Sequence, residues 1–329
     1  MSRLSSILLI ITLTTLQAIA QQTPGVAVLI VKGQTEIEGK HLGIRRIRTY
    51  DVSSAEIPQS FDGFRILFIA DTHYPSLFTD RTLASLGTVV SEIAPDAIML
   101  GGDYQEGCEY VEPLFATIMR HPPKYGAYAI LGNNDIERCT DTIIDLMRAY
   151  DIKFVEDTAV RINKGHSHIT VAGAINTYKA FEENPSPTLN LPPEEFVILL
   201  THTPDYAEDQ DIANTDLVLA GHTHGGQVTF LGFLAPVTAS HYGQRFLKGL
   251  NYNTAGQPVI TTTGIGTSRR NIRLFAPSEV VLLTLHSWSR NERLPEPDIA
   301  IDTRPYLSQP ITIVPETTYQ EPLNIPQKL

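Results

Sequence analysis

Five short apolar runs in this chain end in aspartate, asparagine or histidine. Residues 66–70 lead into Asp71-Thr72-His73, 97–100 into Gly101-Gly102-Asp103, and 127–131 into Gly132-Asn133-Asn134-Asp135. Residues 196–200 lead into Thr201-His202, and 217–220 into Gly221-His222-Thr223-His224-Gly225. Oxygen and imidazole donors delivered from the ends of separate strands suit a hydrolytic site built on two divalent metals. No single element is specific, because Asp-x-His and Gly-Asp arise by chance and a lone loop histidine is ordinarily solvated. The ordered set of five is specific. Its strongest member is Gly221–Gln227, where two histidines flanked by glycines follow a strand directly and suit a tight loop.

Such donors need strands to carry them and helices to space the strands. Leu83, Leu86, Val89, Val90 and Ile93 fall on one face of a helix over 80–93, with Asp80 as N-cap and Pro95 marking its end. Residues 110–120 and 140–150 repeat the amphipathic pattern. Strand and helix therefore alternate, and an α/β layered fold with partly parallel strands follows. Beyond Phe154 the texture turns to β. Residues 159–162 and 169–172 read as a hairpin around Asn163–His166, with His166 and His168 as surface residues of its turn. Residues 181–193 read as a Pro-, Glu- and Asn-rich loop. Residues 228–285 read as β-rich, with 259–262 and 280–285 the clearest strands. Two sheets packed face to face between helices account for the switch. Residues 44–50 alternate weakly and read as an edge strand within a lead-in over 21–56.

Composition bounds the rest. Of 329 residues, 42% are hydrophobic and 19% charged, which is ordinary for a globular protein. The net charge of −11 offers no support for a nucleic-acid surface, so no nucleic-acid partner is expected. A phosphate ester remains compatible, because bound cations overturn the negative field locally. Arg3, the apolar stretch 4–20 and Ala18-Ile19-Ala20 before Gln21 read as an export signal over 1–20. The alternative is an uncleaved membrane anchor, giving membrane association through the N-terminus. Both place the protein outside the cytoplasm, in the periplasm or facing outward. In an exported protein Cys108 and Cys139 form either one disulfide or two buried thiols. From 287 to 329 the chain carries seven prolines and reads as an extended or disordered tail.

The ordered set D-x-H, G-D, G-N-x-D, H and G-H-x-H resembles the calcineurin-like metallophosphoesterases. Phe61–Arg65, Gly221–Gln227, Gly264–Ser268, Ile272-Arg273 and Pro277–Glu279 resemble the bacterial branch typified by the YaeI and YkuE phosphodiesterases. The resemblance spans about 57–286. It implies a β-sandwich of two mixed sheets flanked by helices, with a dinuclear centre at the strand ends. Carried across, Asp71, His73 and His224 hold one metal, Asn133, His202 and His222 the other, and Asp103 bridges them. Mn, Zn and Fe all suit such donors. A metal-bridging hydroxide would attack phosphorus in line, so the expected activity is phosphodiester hydrolysis. A small-molecule phosphate ester, a phospholipid or another envelope component would be the substrate.

One departure matters. The family reads G-N-H-D, and that histidine protonates the leaving group; here Asn134 stands in its place. Asparagine is no general acid, although it can hydrogen-bond a phosphate oxygen. Either the natural leaving group is already a weak base, or another group serves, and His241 is the first candidate beside the plainer reading of an exposed loop histidine. Asp135 is either an outer support for a histidine ligand or a simple loop cap. Arg269, Arg270 and Arg273 are either phosphate clamps or, for Arg273 above all, structural. Asn134 also brings forward an enzyme of the type that splits the pyrophosphate of UDP-2,3-diacylglucosamine. A non-catalytic metal-dependent binding protein is the other alternative.

Overall fold

Strands that are apolar without interruption belong in the middle of a sheet covered on both sides. Residues 66–69, 97–100, 197–200 and 217–220 are of this kind, with every side chain buried. The computed structural model describes residues 28–36, 43–174 and 185–288. The expected signal over 1–20, residues 289–329 of the expected tail and the start of the 181–193 loop lie outside these. No helix among the described residues is long and apolar enough to cross a membrane.

In chain order the strands are β1 (Val28–Glu36), β2 (Arg46–Ser54), β3 (Phe64–Ile69), β4 (Ala97–Leu100), β5 (Ala127–Ala129), β6 (Ile152–Phe154) and β7 (Thr158–Lys164). They continue as β8 (Ser167–Gly173), β9 (Val197–Thr201), β10 (Leu217–Ala220), β11 (Gly249–Tyr252), β12 (Pro258–Thr261) and β13 (Glu279–Ser287). The helices are α1 (Asp80–Ile93), α2 (Val111–Ile118), α3 (Asn133–Arg138), α4 (Thr140–Ala149) and the short α5 (Tyr206–Asp209). One sheet runs β1-β2-β13-β3-β4-β5-β6 and the other β11-β12-β10-β9-β8-β7. Both are mixed: β3 to β6 and β8 to β10 to β12 are parallel, whereas β1, β13, β7 and β11 bring antiparallel pairs. The fold is α/β, a sandwich of two mixed sheets flanked by helices.

Strand alternation sorts the side chains into layers. Ile66 and Phe68 of β3 face inward and meet Ile198 and Leu200 of β9 and Leu217 and Leu219 of β10 in the core between the sheets. Leu67 and Ile69 face outward under Leu83, Leu86 and Val90 of α1 and Leu114 and Phe115 of α2. Leu199, Val218 and Val259 face the other way, against Tyr206 and Phe246. Full burial of one such side chain is worth about 1.5–3 kcal/mol, so these layers fix the positions of the strand ends.

Several sequence expectations shift. The N-cap of α1 is Thr79, and Asp80 is its first residue; Ala94 ends the helix in a left-handed conformation (φ 45°) just before Pro95. The run 44–50 is no edge: β2 lies inside the first sheet between β1 and β13, parallel to β13 across more than two hundred residues of sequence. Its Arg48 explains the weak alternation, because this buried arginine bonds the buried Glu279 of β13 through Nε (3.0 Å) and Nη2 (2.8 Å). The described residues of the lead-in are therefore part of the sandwich. The hairpin turn is tighter than the expected 163–166, with Lys164 opposite Ser167, so His168 lies on β8, 3.1 Å from Glu195. Residues 228–248 hold no strand and are irregular apart from isolated bridges.

Candidate metal centre

The strand ends converge. β3 is followed by Asp71 and His73, β4 by Asp103, β9 by His202, and β10 by His222 and His224; Asn133 opens α3 after β5. Donor atoms of Asp71, His73, Asp103 and His224 lie within 4.8 Å of one another, and those of Asp103, His202 and His222 form a second such group. Asp103 belongs to both. Its Oδ2 is 3.3 Å from His73 Nε2 and 3.3 Å from His202 Nε2. His222 Nδ1 is 3.2 Å from His202 Nε2, and His224 Nε2 is 3.9 Å from Asp71 Oδ1.

Two buried atoms here lack a hydrogen bond, His73 Nε2 and Asn133 Oδ1. His73 Nε2 faces Asp103 without hydrogen-bonding geometry. An unsatisfied buried polar atom costs about 1–3 kcal/mol, and a cation at each donor group would satisfy them. Two carboxylates, four imidazoles and an amide oxygen are the donor chemistry for Mn, Zn or Fe. The residues present fit divalent metal.

Five of the seven side chains stand on left-handed backbone: Asp71 (φ 52°), His73 (39°), Asp103 (56°), His222 (69°) and His224 (52°). Each such non-glycine residue costs roughly 1–2 kcal/mol, and strain of this kind persists only where the surroundings enforce it. Glycines make room for the turned loops. A Cβ on Gly132 would lie 2.0 Å from Asp103 Oδ1, and one on Gly221 would lie 2.6 Å from Asp71 Oδ2.

Hydrogen bonds hold each donor. His73 Nδ1 meets Glu106 Oε1 at 2.7 Å, and His202 Nδ1 meets the Gly101 carbonyl at 2.8 Å, which leaves each Nε2 directed at Asp103. The His222 backbone N–H donates to both Asp71 oxygens at 2.9 and 3.0 Å. Asp135 supports no histidine ring; it caps α3 and holds the Asp103 loop through backbone N–H groups. Its Oδ2 accepts from the backbone N–H groups of Asp103 (2.7 Å) and of Gly132 (2.8 Å), the cap of α3, and its Oδ1 accepts from Tyr104 N–H (3.0 Å). The Cys108–Cys139 disulfide ties the loop after Asp103 to the end of α3.

Charges here shift one another. Burial would raise Asp103, but His202 and His73 hold it well below the usual carboxylate range. Burial opposes protonation of His73 and His202, yet the surrounding carboxylates, Asp103 above all, raise them to about 10 and about 9. Burial pushes Asp71 up to about 6 and, with the Asp103 charge, Asp135 up to about 7. Burial first, and neighbouring cationic groups second, lower His222 to about 3 and His224 well below the usual range. With protons alone to balance the carboxylates, His73 and His202 supply the positive charge; a divalent cation meets the same demand.

The remaining expected residues are placed as follows. Asn134 turns onto Asp103, its N–H donating to Oδ1 (3.0 Å) and its amide to Oδ2 (3.0 Å). His241 is exposed, and its backbone N–H is held by Asp205 at 2.7 Å. Arg273 is structural: its guanidinium donates to the carbonyls of Gly266, Thr263 and Ala276 and lies 3.4 Å from His224 Nδ1, and burial lowers it to about 10. Arg269 and Arg270 are exposed. Two residues were missed from sequence. Glu106 lies three residues beyond Asp103 with no local pattern to mark it. Buried Asp205, three residues after His202, also binds Ser240 Oγ (2.5 Å) and so ties the His241 loop to the His202 loop.

Two sheets whose strand ends gather carboxylate, amide and imidazole donors define a phosphoester hydrolase of the metallophosphoesterase kind. Residues 64–226 match the calcineurin-like phosphoesterase family. The phosphodiesterase YaeI of Escherichia coli K12 is 30% identical over 235 residues, covering 68% of this chain and 82% of YaeI. The metallophosphoesterase YkuE of Bacillus subtilis 168 is 27% identical over 243 residues (72% and 84%), and a metallophosphoesterase of Aquifex aeolicus is 26% identical over 250 residues (73% and 91%). This chain belongs to the calcineurin-like phosphoesterase family and acts on phosphate esters.

Proposed function

We propose that the protein is an exported phosphodiesterase whose centre holds two divalent metals together. One observation carries the reading: Asp103 is shared, with Oδ2 3.3 Å from an imidazole of each donor group. Asp71, His73 and His224 would hold one ion, Asn133, His202 and His222 the other, and Asp103 both. Bound ions of this class supply Lewis-acid polarisation of phosphoryl oxygens and a nucleophile near neutral pH. The chain's own groups set the geometry. Asp135 fixes the Asp103 backbone, Glu106 and the Gly101 carbonyl aim His73 and His202, and Asn134 braces the shared carboxylate. Similarity to YaeI supports a diester substrate, and the Arg3 and 4–20 pattern supports export.

Asn134 has no proton to give a leaving group, so the substrate carries one that departs as a weak base. His241 is the candidate to protonate poorer leaving groups, because Asp205 keeps its loop beside that of His202. The same engagement of Asn134 with Asp103 favours, as a second reading, a pyrophosphate of the UDP-2,3-diacylglucosamine type, since phosphate leaves unaided. The test is hydrolysis of bis-aryl phosphate by protein loaded with Mn, Zn or Fe, with metal content measured for wild type and Asp103→Asn. The reading expects loss of both metal and turnover in the variant. Wild-type metal and turnover in D103N overturn the shared role of Asp103, and a loaded wild type inert towards diesters but active on a nucleoside-diphosphate sugar transfers the assignment to the second reading.

A further inference from the structure

Nine of the eleven exposed large apolar side chains among the described residues come from two segments, 228–237 and 272–275. Phe230 is 63% exposed, Phe233 55%, Val237 71% and Phe275 56%. The segments form one unit: Thr229 N–H donates to the Leu274 carbonyl and Leu274 N–H to the Gln227 carbonyl, both at 2.9 Å, and the Phe230 and Phe233 rings meet edge-on at 6.2 Å. The unit begins directly after the His224-Gly225-Gly226-Gln227 turn, so it adjoins the metal centre. A contiguous apolar patch of this kind on a globular protein marks a surface that meets another phase or partner.

Charge identifies that phase. The chain carries a net −11, yet between Asp216 and Glu279 there is no aspartate or glutamate at all. Of the cations in this stretch, Arg245 pairs with Glu208 and Arg273 donates to backbone carbonyls, which leaves Arg269 and Arg270 exposed. Arg269 and Arg270 are exposed two or three residues before Ile272, and the Arg269 charge reaches His222. Exposed aromatic and aliphatic side chains beside Arg269 and Arg270, on segments that carry no carboxylate of their own, match an anionic lipid surface, where apolar groups enter the acyl boundary and guanidinium groups meet phosphate. A second copy of this chain would set the same cations against one another.

We propose that the 228–237 and 272–275 segments dock the protein onto an anionic phospholipid bilayer, setting the metal centre at headgroup level. The choice of a lipid-borne phosphoester as substrate rests on the hydrolytic reading above; the docking does not. The chain has no free cysteine among its described residues, so single reporters can be added. Full-length Phe233→Cys, Val237→Cys and, on the exposed face of α4, Arg148→Cys each carry an environment-sensitive fluorophore. With phosphatidylglycerol-containing vesicles the first two should shift to the blue and be quenched by spin-labelled acyl chains, while the label at 148 stays in water; added salt should weaken the response. An N-terminal anchor alone would leave all three labels unshifted and overturn the proposal. So would a shift that needs no vesicles and grows with protein concentration, or an equal response to phosphatidylcholine alone. A Phe230→Asp/Phe233→Asp variant should lose at least about tenfold in acyl-chain contact, since burial of one phenylalanine is worth that much in a binding constant. It should keep wild-type turnover of soluble bis-aryl phosphate. If the labels insert but bis-aryl phosphate is untouched, the docking stands and the phosphodiesterase reading falls.

Discussion

Replacing Gly132 with alanine separates the position of the shared carboxylate from its chemistry. Gly132 has φ −96° and ψ 174°, an extended conformation open to any residue, so the added methyl brings no backbone strain of its own. The cost is contact. The new Cβ would lie 2.0 Å from Asp103 Oδ1 and 2.4 Å from the Asp103 backbone nitrogen, where real Cβ atoms keep beyond 3.0 Å. A side-chain oxygen alone could swing aside, but the backbone nitrogen is pinned by Asp135 at 2.7 Å. The loops must therefore part by about 1 Å, and overpacking of this sort costs about 1–3 kcal/mol. A displacement of about 1 Å at a reacting centre is worth about 10²-fold in rate. Gly132→Ala should thus lose about 10²-fold in kcat/KM on a bis-aryl phosphate and bind metal more weakly, with thermal melting and metal analysis as companion measurements. Wild-type metal content and wild-type turnover in G132A would refute the reasoning that this contact positions Asp103.

Asn134→His should raise kcat/KM most for alkyl esters, towards the 10²–10⁴-fold that a general acid supplies; equal gains on aryl and alkyl esters would count against the assignment. Metal binding near pH 7.5 should release a proton from each of His73 and His202, whose raised values of about 10 and about 9 keep them charged there. Calorimetry in buffers of different ionisation enthalpy reads that release, and finding none would contradict it. For the metal-free protein the sign follows from the same shifts: the stabilisation from these two histidines is complete below about 6.5, their ordinary value, and is lost as pH rises through about 9 to 10. Melting curves of chelated protein should fall over that window. Cys108→Ser/Cys139→Ser opens a link across 31 residues and should cost about 3–4 kcal/mol of stability in the chain-entropy account; it should also weaken metal binding, because the bridge ties the Asp103 loop to α3.

Much of the site was legible in the linear chain for a local reason. A strand buried on both faces must be apolar throughout, and where it leaves the core the next residues are free to be polar. Asp71, Asp103, His202 and His222 all stand at such exits, and glycines beside them mark loops that turn sharply. Helix α1 was legible from its single buried face. The supports were not: Glu106 and Asp205 are ordinary acids in loops until His73 and the His241 loop are brought beside them. Asn134 was legible as the missing acid, but not as a brace, because its bond to Asp103 joins residues 31 apart.

The chain by itself therefore determined which residues could bind metal, the alternation of strands and helices, and the layered class of the fold, since each depends on burial and composition within a few neighbouring residues. Tertiary structure decided what lies beside what. It set β2 inside the sheet next to β13, held there by Arg48 and Glu279, where weak alternation had indicated an edge. It left 228–248 without strands and exposed its apolar side chains. It turned five donor residues into left-handed backbone and set Asp103 between two groups of imidazoles. Periodicity records whether a side chain is buried and is blind to what buries it; pairing between distant segments is selected by the packing of the whole chain.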